Sequence, residues 1–151
     1  MPERRKPAAG ERLILFLDAN VLFSAAYSAD GRSAALFALA RKRLCRLVTS
    51  RYAIEEAHRN LADKKPGVLA AFSALLAWVK AHPEADPKRL EQAATVGLKD
   101  EMDVPILAAA IGHADVLVTG DRRHFGPWMG KTIHGVKVMG LAETLDMLLA
   151  K

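Results

Sequence analysis

The chain has 151 residues, of which 51% are hydrophobic and 26% are charged, a composition typical of one globular domain. Its single cysteine, Cys45, cannot form an internal disulfide, which excludes a disulfide scaffold and makes the reducing cytoplasm the expected compartment. No apolar stretch is long enough to cross a membrane, and the net charge of +5 favours a polyanionic partner.

The predicted elements alternate between strands and helices along nearly the whole chain. Residues 1–11 are basic, are not followed by the apolar core of a signal peptide, and are predicted to be flexible. Residues 88–98 show no clear pattern. Short runs of large or β-branched residues predict buried strands at 13–17, 45–49, 116–119 and Val136–Met139. Helices are predicted at Ala19–Tyr27, 33–43, 51–62, 68–80, 103–113 and 141–150.

This alternation of strands and helices indicates a parallel sheet with helices on both faces. No internal repeat, low-complexity stretch or linker interrupts the pattern, so residues 1–151 are predicted to form one α/β domain. Ligands of such open sheets bind just beyond the carboxyl ends of the strands. Functional side chains are therefore expected where the predicted strands end.

Four acidic residues lie at positions where the carboxyl edge of the predicted sheet would bring their carboxylates together. Asp18 and Asp121 each follow an apolar strand, and a charge beside a sheet is costly unless a cation meets it. Glu56 lies in the first two turns of a predicted helix, and Asp103 in a first turn, where the helix dipole favours an anion. Clustered carboxylates suit Mg²⁺ or Mn²⁺, which activate a bound water and neutralise phosphate oxygens. The pattern predicts a site that cleaves phosphodiesters, with the amide of Asn20 beside it.

Each acid also has an ordinary structural explanation. Aspartate is a preferred N-cap, so Asp18 can simply begin a helix, and Asp121 after a glycine can be a turn residue. Glu55 competes with the glutamate that follows it, and either can be a solvated helix residue. Asp103 can be a partner of the helix dipole, as can Asp100 one turn earlier. Their joint placement at the ends of elements, rather than any one residue, favours the metal site.

Four stretches of the sequence match one known family: LILFLDANVLFSA, LVTSRYAIEEAHRNL, DEMDVPILAAAIGHADVLVTGDRRHFG and the closing IHGVKVMGLAETL. With these motifs the chain resembles the PIN-domain family, which includes the VapC-type toxin ribonucleases. The resemblance runs from residue 12 to residue 145, nearly the whole chain. Residues 66–98 carry no family motif that aligns, which leaves the substrate undefined.

The resemblance implies a Rossmann-like fold and an endoribonuclease that uses Mg²⁺ or Mn²⁺ to hydrolyse single-stranded RNA, such as the toxin of a toxin–antitoxin pair. It also implies a homodimer and a small antitoxin protein as partner. The family's accompanying amide and hydroxyl fall on Asn20 and Thr119, which we expect to bind substrate. The family's four acids, which both catalyse and bind metal, fall on Asp18, Glu56, Asp103 and Asp121.

The basic residues of the sequence are expected to have two different roles. Arg122 and Arg123 flank the predicted cleft and are expected to hold RNA. Residues 41–43, all cationic, are interpreted instead as charges that complement the dipole at the end of a helix. Trp78 is interpreted as a core or interface residue.

Two other function classes compete with a nuclease. The first is a non-catalytic module with the same fold that binds RNA or protein, but such a module gains nothing from a repulsive group of carboxylates. The second is a phosphoryl-transfer enzyme or receiver domain. It requires a second acid beside Asp18 and a lysine at a later strand end, and the sequence supplies neither.

Overall fold

The apolar runs of the sequence form a six-stranded sheet in the computed structural model, which describes residues 12–120 and 122–150. Residues 1–11, for which we predicted a flexible segment, lie outside the described residues. The strands are β1 (Ile14–Leu17), β2 (Arg46–Ser50), β3 (Val79–His82), β4 (Val116–Val118), β5 (Thr132–Ile133) and β6 (Val136–Met139). Their order across the sheet is β3-β2-β1-β4-β6-β5, and the pairing is parallel except between β5 and β6.

The neighbours of β1 bring three strand ends to one edge of the sheet. Leu17 pairs with Val118 and Phe16 pairs with Val48, so the carboxyl ends of β1, β2 and β4 lie level. Strands β2 and β3 lie on one side of β1, and β4 lies on the other side. The crevice between β1 and β4 is therefore the topological switch point, where sheets of this kind bind ligands.

Helices connect the strands and flank the sheet, which confirms the predicted fold class. They are α1 (Ala19–Tyr27), α2 (Arg32–Arg41), α3 (Arg51–Lys64), α4 (Leu69–Leu76), α5 (Pro87–Ala94), α6 (Val104–His113), α7 (Arg122–Phe125) and α8 (Leu141–Leu149). Helix α1 packs against α2, α3 and α4, whereas α6 packs against α5 and the central strands. Within the described ranges, no helix has the length and apolarity needed to cross a membrane.

Helix α6 is buried on nearly every side. The sequence predicted one apolar stripe, but every residue from 106 to 111 is buried, including Ala108 and Ala109 on the other faces. Small alanine side chains allow α5 on one side and the sheet on the other to approach closely. Pro105 is tolerated because the first turn of a helix has no hydrogen bond for its nitrogen to donate. This rigid helix begins immediately after Asp103.

The edge strand β3 was not predicted. Leu69, Phe72, Leu76 and Val79 have helical spacing, and the sequence therefore indicated one helix over residues 68–80. In the structure α4 ends at Leu76, and Val79 begins a strand that pairs in parallel with β2. Backbone pairing with a neighbouring strand outweighs the local periodicity, because strand formation depends on context more than helix formation does.

Helix α5 forms in the segment for which the sequence gave no clear pattern. Asp86 is its N-cap, with Oδ1 accepting a hydrogen bond from the backbone N–H of Arg89 at 2.9 Å. Pro87 occupies the first turn, where its fixed φ angle suits a helix. The two-residue strand β5 was also missed, because it is too short to show an alternating pattern.

Two histidines far apart in the sequence stack on each other. His82 ends β3 and His113 ends α6, and their ring centroids are 3.6 Å apart with an angle of 7° between the planes. Burial, followed by the charges of His113 and Lys80, lowers the pKa of His82 from 6.5 to about 4. Between these two values the unfolded chain binds a proton that the folded chain does not. The free energy of unfolding should therefore decrease as the pH falls from about 6.5 to about 4.

His82→Gln should reduce this loss of stability at acid pH, because the substitution removes the group that takes up the proton on unfolding. The measurement is the urea midpoint of unfolding for both proteins across the same pH window. We expect a moderate effect, since His82 is partly exposed and solvent screens its charge. Equal pH dependence in the two proteins would show that the histidine stack does not control acid stability.

Candidate active site

The carboxylate of Asp18 is fixed from two sides at the end of β1. Its side chain is buried, and Oδ1 accepts a hydrogen bond from the backbone N–H of Ala19 at 2.7 Å. Asp18 is thus the N-cap of α1, so the ordinary structural explanation of this residue holds. Its other oxygen, Oδ2, accepts a hydrogen bond of 2.7 Å from the hydroxyl of Thr119. This second bond spans the crevice between β1 and β4.

Thr119 follows β4 and is completely buried, with 0% of its surface exposed. Its backbone N–H donates to the carbonyl of Met139 at 3.0 Å, which holds the residue beside β6. The hydroxyl of Thr119 thus faces Asp18 and not the solvent. The contact with substrate that the sequence suggested for this residue stays a prediction.

Asn20 joins the start of α1 to the turn after β4. Its Oδ1 accepts a hydrogen bond of 3.0 Å from the backbone N–H of Gly120. This bond fixes the backbone immediately before Asp121. Asp121, the fourth predicted acid, lies outside the described residues. Asn20 itself is half-buried at the carboxyl edge of the sheet, as the sequence had suggested.

Helix α3 presents its two neighbouring glutamates differently. Ser50 caps the helix, with Oγ accepting from the backbone N–H of Ala53 at 3.1 Å. Glu55 is exposed, whereas Glu56 is half-buried. Tyr52 lies four residues before Glu56, so the two side chains share one face of the helix. The geometry distinguishes two residues that the sequence left open and favours Glu56.

Three carboxylates from two parts of the chain act on the hydroxyl of Tyr52. Burial first, and then the charges of Glu56, Asp103 and Asp100, raise the pKa of Tyr52, while Arg59 opposes them. The raised pKa means that Tyr52 keeps its proton and remains a hydrogen-bond donor. Sequence reasoning missed this residue, although its four-residue spacing from a predicted acid was a usable signal.

Asp103 and Asp100 have different local roles. Asp103 is buried directly before α6 and makes no side-chain capping bond to that helix. Asp100 is the N-cap of the preceding 3-10 turn, where its Oδ1 accepts from the backbone N–H of Met102 at 2.9 Å. Ordinary helix capping therefore explains the position of Asp100 but does not explain that of Asp103.

The described residues thus form two groups. In one, hydrogen bonds join Asp18 and Asn20 to the end of β4. In the other, the charges of Glu56 and Asp103 both raise the pKa of Tyr52. In the part of the chain that the structure describes, no three histidine, cysteine, aspartate or glutamate side chains are close enough to hold one metal ion. This donor set lacks Asp121, because that residue is outside the described ranges.

The chemistry of the available donors nevertheless fits a hard divalent cation. Asp18, Glu56 and Asp103 offer only carboxylate oxygens, which Mg²⁺ and Mn²⁺ accept and which make a poor site for zinc. His82 and His113 stack on each other and do not join this group. The residues present therefore fit the metal that the sequence predicted, although the structure does not show a complete site.

An open cavity of about 500 Å³ lies at the turn that precedes Asp103. The exposed side chain of Arg123 lines it, together with Lys99, Asp100, Glu101 and Met102. The lining combines two cations with two carboxylates, and the cations can attract a polyanion.

Comparison with known proteins identifies the family and the fold. The sequence profile of the PIN domain matches residues 15–123. No curated protein matches the chain. Two solved structures with the same fold are VapBC2 from Rickettsia felis, bound to a DNA fragment from its promoter, and VapBC-1 from nontypeable Haemophilus influenzae. The first has a TM-score of 0.62 and 16% identity, covering 85% of this chain and 98% of that chain. The second has a TM-score of 0.57 and 14% identity, covering 86% and 99%.

Proposed function

The chain belongs to the PIN domain family, and on this basis we propose that it is a divalent-metal-dependent endoribonuclease that hydrolyses single-stranded RNA. The observation that carries the proposal is the arrangement of acids at the carboxyl edge of the sheet. Asp18 is oriented by a buried hydroxyl at the switch point, and Glu56 and Asp103 act together on Tyr52.

In this proposal Asp18, Glu56, Asp103 and Asp121 hold Mg²⁺ or Mn²⁺. When bound, the metal supplies an activated water and neutralises phosphate charge. The chain's own residues position the donors. Thr119 keeps Oδ2 of Asp18 directed into the crevice, as groups behind metal ligands commonly do. These roles make Thr119 a positioning residue and the four acids the catalytic and metal-binding residues.

The surrounding polar residues bind the RNA backbone. Asn20 fixes the turn at Gly120, and its amide nitrogen can donate to a phosphate at the edge of the sheet. Tyr52 remains protonated and is a second donor. Arg123 lines the neighbouring cavity and can neutralise a phosphate that flanks the cleaved bond, and the sequence assigns Arg122 the same role.

The partners of the protein are part of the same proposal. The two solved structures of this fold are VapBC complexes, which supports a small antitoxin protein as a partner and a toxin–antitoxin role. A homodimer and a cytoplasmic location remain predictions. The single cysteine supports a reducing compartment, because it leaves no internal disulfide to form.

The test is to incubate the purified chain with mixed single-stranded RNA in the presence of Mn²⁺ or of EDTA. We expect cleavage with Mn²⁺ and intact RNA with EDTA. Intact RNA under both conditions, together with retained RNA binding, would instead favour the non-catalytic binding module. Cleavage that persists in EDTA would contradict the metal requirement.

A further inference from the structure

A second strongly basic cavity lies at the opposite edge of the sheet from the carboxylates. It has a volume of about 500 Å³ and surrounds the places where β1, β2 and β3 begin. No acidic residue lines it among the described residues. Its cationic lining residues are Arg12, Arg41, Arg43, Arg46 and Lys80, all of them exposed, and we call this surface the amino-edge cavity.

Trp78 forms one wall of the amino-edge cavity. We expected this tryptophan in a core or an interface; 49% of its surface is exposed, which excludes the core and leaves the interface as a prediction. The guanidinium carbon of Arg41 lies 5.7 Å from the centre of its ring. An exposed aromatic face beside exposed cations is the arrangement with which proteins hold single-stranded nucleic acids, because bases stack on the ring while the cations contact phosphates.

Arg43 occupies a backbone conformation that normally selects glycine. Its φ is +63°, and it lies two residues after the end of α2. The N–H of Arg43 donates to the carbonyl of Ala40 at 2.9 Å, and that of Leu44 to Leu39 at 3.0 Å, which is the helix ending that usually has glycine at this position. An arginine here is strained, because its Cβ crowds the backbone. Strain that is retained at one residue points to a use for its side chain.

The helix-dipole interpretation of residues 41–43 does not explain this surface. A dipole accounts for cations in the last turn of α2, where Arg41 lies. It does not account for Arg12 before β1, Arg46 at the start of β2 or Lys80 in β3. Three separate segments of the chain bring positive charge to this cavity, so its charge is a property of the whole surface and not of one helix end.

We propose that the amino-edge cavity is a second binding site for single-stranded RNA, in which the guanidinium groups contact phosphates and Trp78 stacks on a base. The site extends the proposed nuclease function, since it would hold a long RNA away from the cleaved bond. An acidic protein segment is the rival occupant, but it would not require an exposed aromatic face.

The test measures RNA binding in EDTA, where no metal-dependent cleavage occurs. The probe is a fluorescent single-stranded RNA of about 30 nucleotides, longer than the site sizes of roughly 4–16 nucleotides known for single-strand-binding modules. The cavity variant is Arg46→Gln with Lys80→Gln. Its matched control is Arg32→Gln with Lys137→Gln, which removes the same charge from two exposed residues that do not line the cavity.

The cavity variant should bind RNA more weakly and flatten the log–log dependence of affinity on salt by about 1.4, since each single-strand phosphate contact contributes about 0.7. The control should leave this slope nearly unchanged. Trp78→Leu should lower affinity about 5- to 150-fold without changing the slope, because it removes stacking and no charge. Equal slopes for the cavity variant and its control would overturn the proposal.

Arg43→Gly provides an independent test with effects of opposite sign. Glycine relieves the left-handed strain, so the melting temperature should rise by about 2–4 °C, while the RNA affinity should fall. A rise in stability with unchanged affinity would remove Arg43 from the site. If an oligoglutamate peptide bound as tightly as the RNA, and Trp78→Leu had no effect on either ligand, the cavity would be a protein contact.

Failure of this proposal and failure of the nuclease proposal have different signatures. Cavity-dependent binding in EDTA together with no cleavage in Mn²⁺ would leave the second site standing and contradict the nuclease. Cleavage in Mn²⁺ together with equal binding by the cavity variant and its control would support the nuclease and contradict the second RNA site.

Discussion

Asp18→Asn should lower RNA cleavage by more than about 100-fold while leaving the fold nearly as stable. Changes to the groups behind a metal ligand cost about 10- to 100-fold, so loss of the ligand's own charge should cost more. Stability should persist because asparagine is as good an N-cap as aspartate and can still accept from Ala19. The measurements are the cleavage rate in Mn²⁺ and the melting temperature in EDTA.

Thr119→Val separates positioning from catalysis in the same assay. Valine has the shape of threonine but cannot donate to Asp18, so cleavage should fall by about 10- to 100-fold and not disappear. Loss of this buried hydrogen bond should also cost about 1–3 kcal/mol of stability in EDTA.

The outcome that contradicts the first prediction concerns Asp18. If Asp18→Asn unfolded the protein, or if the variant cleaved RNA as well as the wild type, Asp18 would have only its capping role.

Saturating Mg²⁺ or Mn²⁺ should raise the melting temperature of the wild-type protein. A ligand that binds only the folded state, at about 100 times its Kd, adds about 2.7 kcal/mol to the free energy of unfolding. For a domain of this size that corresponds to an increase of about 5–10 °C. The measurement is thermal unfolding in EDTA and in millimolar metal.

Asp103→Asn provides the matching control for the metal experiment. The substitution keeps the shape of a buried side chain next to α6 but removes its negative charge. The variant should therefore show a smaller increase in melting temperature than the wild type at the same metal concentration. An unchanged melting temperature of the wild type across millimolar metal would count against the site.

The parts of the fold that the sequence predicted well are those in which local pattern and tertiary packing agree. The predicted helix Ala19–Tyr27 has the observed bounds, because Asp18 caps it and its apolar residues face the core. The strand Val136–Met139 was likewise found with its observed bounds. The edge strand β3 could not be found, because only pairing with β2 distinguishes it from the helical spacing of its neighbours.

In the candidate site, too, some features were predictable from the sequence and others required the structure. Chain topology was enough to place Asp18 and the end of β4 beside each other, since parallel strands end at one edge. The positioning role that we propose for Thr119 required the structure, because its burial and its bond to Asp18 cannot be read from the sequence. The family resemblance placed the second acid on Glu56, whereas the difference in exposure between Glu56 and its neighbour required the structure.

The central claim is that the carboxylates at this edge cleave RNA, and the neighbouring glutamates of α3 test it most directly. Glu56→Gln and Glu55→Gln remove the same charge from adjacent positions, one half-buried near Tyr52 and the other exposed. The measurement is the rate at which each variant cleaves single-stranded RNA in Mn²⁺. We predict that Glu56→Gln loses cleavage and that Glu55→Gln cleaves like the wild type. Loss of cleavage in Glu55→Gln alone, or full activity in both variants, would contradict the assignment.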